Sequence, residues 1–146
     1  MKIRPMTAGD YDKVYALWLS TPGMGLNTAD DSREGIEKYL RRNPATCFVA
    51  EEGAEVVGAI LAGHDGRRGY IHHTAVKETL RGQGIGSALV EAAMGALKAE
   101  GILKVALVVF SRNENGNRFW AQRGFERRDD LVYRNRAIGH LTRIDT

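Results

Sequence analysis

One cysteine in 146 residues, Cys47, excludes an internal disulfide and leaves the chain to hold itself together by burial. It sits in the apolar run CFVA with no cationic neighbour, which reads as a buried strand thiol rather than a nucleophile. No apolar stretch approaches the ~18 residues of a membrane-spanning helix. The first ten residues, MKIRPMTAGD, carry no apolar signal core, so a soluble, unsecreted, cytoplasmic protein is expected. Strong charge of one sign is also missing: the formal net charge is +3, and the arginines are scattered rather than set in a basic stripe with interleaved aromatics. That excludes a nucleic-acid module and gives no reason to expect a membrane partner, while an anionic small ligand remains compatible. No repeat or low-complexity segment interrupts a composition of 43% hydrophobic and 27% charged residues, which suits one globular domain over residues 1–146.

The pattern along the chain is mixed. Lys2 to Pro5 reads as a short strand, and Thr7 with Asp10 has the spacing of a helix cap. Tyr11, Val14, Tyr15, Trp18 and Leu19 recur at helical spacing and predict a helix over 9–20. The segment TPGMGLNTADD reads as a loop, after which Ser32 caps a helix that buries Ile36, Tyr39 and Leu40 and ends before Asn43-Pro44. Strands are expected at 46–50, 55–62 and 70–76, a helix from 84 to 100, and a strand buried on both faces at 103–110, LKVALVVF. A helix over 114–122 and short strands at 124–125 and 131–134 complete an α/β arrangement.

Between the third of those strands and the long helix lies LRGQGIGSALV, with glycine at 82, 84 and 86. Glycine in a regular element costs roughly 0.5–1 kcal/mol, so three at alternate positions imply that the backbone must come close to something. The first turn of a helix offers unpaired N–H groups and the positive end of its dipole, and Arg81 adds charge at the rim; together these suit a phosphate. A P-loop needs a Lys-Ser/Thr pair after its glycines, and Ile85-Gly86-Ser87 supplies no lysine. A dinucleotide fingerprint needs GxGxxG and an acidic residue about 20 positions on; here the spacing is GxGxG and LKVALVVF holds no carboxylate.

Arg81-Gly82-Gln83-Gly84-Ile85-Gly86 resembles the acyl-CoA loop of the GNAT superfamily of N-acetyltransferases, and Asn113 and Gly124-Phe125 follow at the family's spacing. The resemblance extends over most of the chain. It implies a GNAT fold of α+β type, with a mixed central sheet of about seven strands, four helices, and the family's fourth and fifth strands splayed to hold acyl-CoA. It further implies acetyl-CoA as cosubstrate, no metal, and a small-molecule or peptide amine as acceptor; homodimers are common in the family, and the sequence neither supports nor excludes one here. An acyl-CoA-binding regulatory module with weak or no catalysis is the alternative.

Carried over residue by residue, the resemblance gives Arg81 through Ser87 to the CoA pyrophosphate. The backbone at the end of the preceding strand, Ala75-Val76, pairs with pantetheine, and the Val76 N–H polarises the thioester carbonyl. Asn113 reaches the pantetheine arm, and Asn117 lies one helical turn on. The family's polar catalytic positions fall on Tyr70 and His72, and simple alternation puts Tyr70, His72 and Thr74 on one strand face with Ile71 and His73 on the other. His72 is the candidate base, since imidazole titrates near neutrality, with His73 or water as the alternatives, because a bulge in this strand would swap the faces. Trp120 occupies the position of the family's acidic tyrosine, and an indole N–H donates a hydrogen bond but no proton. The acid role is left to Tyr133, Tyr70 or water, and a CoA thiol of modest pKa can also leave as thiolate without a dedicated acid. Ribosomal-protein N-terminal acetyltransferases of the superfamily carry a Glu where this chain has Val108, which argues against that label. The acceptor is expected beside Trp18, the segment 24–31 and Tyr133, with Asp30 and Asp31 able to attract a cationic amine.

Overall fold

The computed structural model describes residues 1–144. In chain order the elements are β1 (Lys2–Pro5), α1 (Tyr11–Leu19), β2 (Leu26–Asn27), α2 (Arg33–Arg42), β3 (Phe48–Glu52), β4 (Glu55–His64), β5 (Gly69–Val76), α3 (Ile85–Ala99), β6 (Val105–Ala106), α4 (Glu114–Gln122) and β7 (Arg143–Ile144). The seven strands divide into a five-stranded sheet of order β1-β3-β4-β5-β6 and a two-stranded sheet of β2 with β7. All neighbours in the larger sheet run antiparallel except β5 and β6, which α3 joins in parallel.

Local chemistry accounts for the helix limits. Ser32 caps α2 by accepting from the Gly35 N–H at 3.0 Å. Asp10 accepts from the Thr7 N–H at 2.8 Å and binds Arg4, whose guanidinium also reaches Glu51 on β3. The end of α4 explains the Gly-Phe pair. Gly124 takes φ +88°, its N–H bonds the Ala121 carbonyl, and the Phe125 N–H reaches back to the Trp120 carbonyl at 3.0 Å. This is a Schellman stop, and its usual apolar contact is supplied by the Trp120 and Phe125 rings, 5.2 Å apart edge to face.

Two apolar layers sandwich the sheet. One side packs α1 and α2 through Val14, Trp18, Ile36 and Leu40 onto Val49, Ala59 and Ala75. The other packs α3 through Ile85, Leu89, Ala93 and Leu97 onto Val57, Ile60 and Ile71. Cys47 is fully buried, and burial pushes its thiol up to about 12. Among the described residues no helix is long and apolar enough to cross a membrane.

The C-terminal third departs from the sequence reading. The expected doubly buried strand 103–110 pairs only at Val105 and Ala106, and its alternate residues Lys104, Ala106, Val108 and Phe110 face outward, Val108 at 59% exposure, with Leu103 outside the alternation and fully exposed. With pairing on one edge only, the continuous apolar run becomes half-buried. Residues 124–125 and 131–134 form no strands; Gly124-Phe125 serves the helix stop, and the last pairing is instead β7 with Leu26-Asn27, inside the segment read as a loop. A two-residue pairing between distant segments leaves no periodic signal to read.

Candidate active site

The glycine loop meets the N-terminus of α3 as expected, and its three glycines do different work. Gly82 and Gly84 take φ of +80° and +85°, with open space where a Cβ would stand, so they are required by backbone conformation and leave the surface clear. Gly86 lies against α4: a Cβ there would come within 3.1 Å of the Phe119 ring. Gly84 is the N-cap and no side chain caps the helix, so the first-turn N–H groups of Ile85, Gly86 and Ser87 stay available to an anion. Arg81 donates from Nε to the Val76 carbonyl at 3.3 Å, tying the loop to the end of β5. The exposed Gln83 side chain forms no hydrogen bond. A groove of about 520 Å³ lined by Ser87, Glu91, Gln122, Arg123 and Gly124 continues from the loop between α3 and α4.

The end of β5 has the geometry of a wedge. β6 pairs with β5 only at Gly69 and Tyr70, so from Ile71 to Val76 the outer edge of β5 carries no strand. The Lys77 N–H bonds the Val57 carbonyl, while Val76 lies opposite Gly58 and Ala75 opposite Ala59. Hydrogen-bonded and non-bonded pairs alternate in an antiparallel ladder, so the main chain of Ala75 is committed to β4 and that of Thr74 and Val76 points into the wedge. Of the two residues expected to meet pantetheine, Val76 offers a free N–H and Ala75 does not. The Thr74 hydroxyl is buried without a partner.

Asn113 caps α4 by accepting from the Gly116 N–H at 2.9 Å. Asn117 donates to the Phe110 and Asn113 carbonyls at 3.0 and 2.8 Å, which fixes the turn leading into α4. Among the described residues the Asn113 side chain engages only through its oxygen. Trp120 packs between Phe119 and Phe125, with centroids at 5.0 and 5.2 Å, and thus anchors α4.

The assignment of faces on β5 requires correction. Ile60 pairs with Thr74 and Ala62 with Ile71, so His72 and His73 together lie opposite the single residue Leu61. This β-bulge reverses the alternation. Ile71, Thr74 and Val76 face α3, whereas Tyr70, His72, His73 and Ala75 share the α1/α2 face. On that face the His72 ring lies 4.6 Å from Tyr70 and 5.6 Å from Tyr39 of α2, centroid to centroid. His72 keeps contact with solvent, yet the atoms crowded round its ring desolvate it and lower its pKa, and His73 adds to the shift. His73 Nε2 lies 2.7 Å from the buried Asp31 Oδ1, and its ring meets Trp18 edge-on at 4.9 Å. Asp31 also accepts from the Asn27 N–H at 2.8 Å, while its carbonyl accepts from the Tyr11 hydroxyl.

Burial raises the pKa of the Tyr70 hydroxyl, and nearby Tyr133 raises it further; Tyr133 itself is 66% exposed. The structure thus brings Tyr70 and His72 together on the α1/α2 side, with Tyr133 near enough to act on Tyr70, and sets the glycine loop, Asn113 and Trp120 on the α3/α4 side. Sequence reasoning missed Tyr39, taken only as a core residue, because its contact with His72 joins elements 33 positions apart.

A parallel β5–α3–β6 step thus opens into a wedge beside an uncapped glycine-rich helix start, with main-chain N–H groups on one face and side chains on the other. The sequence model of the Acetyltransferase (GNAT) family matches residues 11–125, and the chain belongs to that family. Curated relatives are named acetyltransferases: one from Photorhabdus laumondii is 36% identical over 118 residues, 78% of each chain, and one from Sodalis glossinidius is 32% identical over 132 residues, 90% of this chain and 92% of the other. Among solved structures, Ard1 of Thermoplasma volcanium superposes with TM-score 0.74 at 27% identity, covering 84% of this chain and 80% of that one. The PaiA N-acetyltransferase of Thermoplasma acidophilum, solved with coenzyme A, gives TM-score 0.73 at 18% identity over 88% and 91% of the two chains, a likeness of fold. The protein is an acetyl-CoA-dependent acyltransferase.

Proposed function

We propose that the protein transfers the acetyl group of acetyl-CoA to a primary amine by direct attack within a ternary complex, with His72 as the base. The observation that carries this reading is the His72 ring, set against Tyr70 and Tyr39 on the α1/α2 face of the strand whose edge opens into the wedge, while the glycine loop occupies the α3 side. Donor and acceptor then approach from opposite faces of the sheet and meet at the end of β5.

The pyrophosphate rests on the main chain from Arg81 to Ser87, and the Asn113 amide reaches the pantetheine arm. The Val76 N–H donates to the thioester oxygen and stabilises the negative charge that develops there, an interaction that gains strength once water is excluded. An alkylammonium of pKa about 10.4 is neutral in about one part in a thousand at pH 7, so the acceptor must first lose a proton. His72 takes that proton directly or through one water; its lowered pKa keeps the ring neutral and ready to accept. The amine nitrogen attacks the carbonyl carbon, the C–S bond breaks, and CoA leaves as thiolate. The thiol of CoA has a modest pKa, so the thiolate leaves without a dedicated acid, and Tyr70, held protonated by its raised pKa, lines the acceptor side beside His72. His73, fixed by Asp31, holds the bulge in place rather than exchanging protons.

The test is thiol release from acetyl-CoA across amino acids, polyamines, aminoglycosides and peptides, with mass analysis of the product. Amine-stimulated release with an acetamide product is the expected result. Tight acetyl-CoA binding without stimulated release by any amine overturns the assignment.

A further inference from the structure

On the α1/α2 face, beside His72, lies a cavity of about 270 Å³ whose walls carry Tyr39, Arg42, Arg68, Tyr70 and His72. Its volume suits a ligand about the size of an amino acid or a dipeptide. Among the described residues neither Arg42 nor Arg68 has an ion pair or a side-chain hydrogen bond, although the chain pairs Arg4, Arg33, Arg127 and Arg128 with carboxylates. Asp65 also lines the cavity, but its Oδ1 accepts from the Arg67 and Arg68 N–H groups at 2.8 Å each and so belongs to the turn. His64 is engaged with Glu100 at 2.8 Å.

The placement of the two guanidiniums relative to the reacting end is set by the elements that carry them. Arg42 stands one helical turn beyond Tyr39, whose ring meets His72, a step of about 5–6 Å between Cβ atoms. Arg68 stands two residues before Tyr70, whose ring also meets His72, about 7 Å along the chain. The opposite end of the same face is acidic: Asp30 and Asp31 bear on His72 electrostatically.

We propose that the acceptor amine carries a compact anionic group, a carboxylate as in an amino acid or short peptide, and that Arg42 and Arg68 hold it while the amine faces His72. This rests on the N-acetyl transfer argued above and names its substrate class. A guanidinium pair offers bidentate contacts to a carboxylate and repels polycations, so polyamines and aminoglycosides are the wrong class for this cavity.

The experiment compares acceptors that differ only in the anion: lysine against cadaverine, and phosphoethanolamine against ethanolamine, the second pair separating a phosphate from a carboxylate source. Each is assayed for thiol release with wild type, Arg42→Ala, Arg68→Ala and, as an exposed control outside the cavity, Arg41→Ala. Lysine is expected to show a KM at least about tenfold below cadaverine, and each cavity variant to abolish most of that difference, with the acetyl-CoA KM and the Arg41→Ala enzyme unchanged. Equal KM values for lysine and cadaverine, or variants that shift both alike, overturn the proposal and leave N-acetyl transfer standing. A preference for phosphoethanolamine alone replaces carboxylate by phosphate and overturns the amino-acid class. Calorimetry of lysine with the CoA-saturated protein reads binding without turnover: loss of binding in Arg42→Ala supports the site even if the chemistry assigned to His72 is wrong, and no binding by wild type sinks it.

Discussion

The two faces of the sheet expose different kinds of group. On the α3 side the surface beside the wedge is main chain: the left-handed glycines 82 and 84, the uncapped first turn of α3, the Val76 N–H. On the α1/α2 side it is side chain: His72 against Tyr70 and Tyr39, with Arg42 and Arg68 beyond. A backbone surface recognises what every acyl-CoA shares and tolerates little variation in residue type. A side-chain surface is assembled from separate elements, so it is free to specify an acceptor.

The largest expected effect breaks the side-chain face alone. His72→Ala is expected to lower kcat by about 10²–10⁴-fold, the usual worth of a general base, while acetyl-CoA binding stays at the wild-type value. The same residue fixes the pH profile. His72 is faced by Tyr39 of α2, by Tyr70 and His73 of its own strand and, at longer range, by Asp30 and Asp31; desolvation dominates and lowers its pKa. The base works when neutral, so the acidic limb of kcat/KM is expected below the ordinary imidazole value of about 6.5, with a plateau through neutrality. A limb at or above that value counts against His72.

A smaller effect breaks the backbone face. Gly84→Ala puts a side chain on φ +85°, a conformation costing L-residues roughly 1–2 kcal/mol, although no atom obstructs the new Cβ. The acetyl-CoA KM is expected to rise about tenfold with the acceptor KM unchanged; steady-state titration of both substrates reads the split. Gly86→Ala has the opposite signature, since its Cβ would press on the Phe119 ring, and it is expected to act through the seating of α4. The smallest effect concerns Trp120→Tyr. The tryptophan closes the Schellman stop with Phe125, so the change is expected to cost about 1 kcal/mol in denaturant unfolding and to leave kcat where it was. A tenfold gain in kcat would mean that a phenol at this position supplies a proton to the departing thiolate that the wild-type chain does without.

The same contrast explains what could be read in the letters. Recognition by backbone needs glycine at fixed spacing, and 82, 84 and 86 were plain, as were Ser32 and the α3 stripe, whereas Gly124-Phe125 read as the start of a strand and proves to be the stop of α4. The pairing of β5 was not, because a bulge has no residue signature: His72-His73 reads as ordinary alternation until Leu61 is seen opposite both. Tyr39 and Arg42 carried no signal because their partners lie on another element. The run 103–110 misled for a related reason, since its apolar letters suggest cover on both faces and the structure leaves Lys104, Ala106, Val108 and Phe110 exposed.

Cys47 has a practical bearing on all of these measurements. It is the only thiol in the chain, fully buried and pushed up to about 12, so the folded enzyme presents no thiolate to a disulfide reagent near neutral pH. Colour formed in a chromogenic thiol assay is therefore released CoA. A single additional equivalent per chain reports unfolding, which makes the assay its own check on whether a variant has lost chemistry or lost its fold.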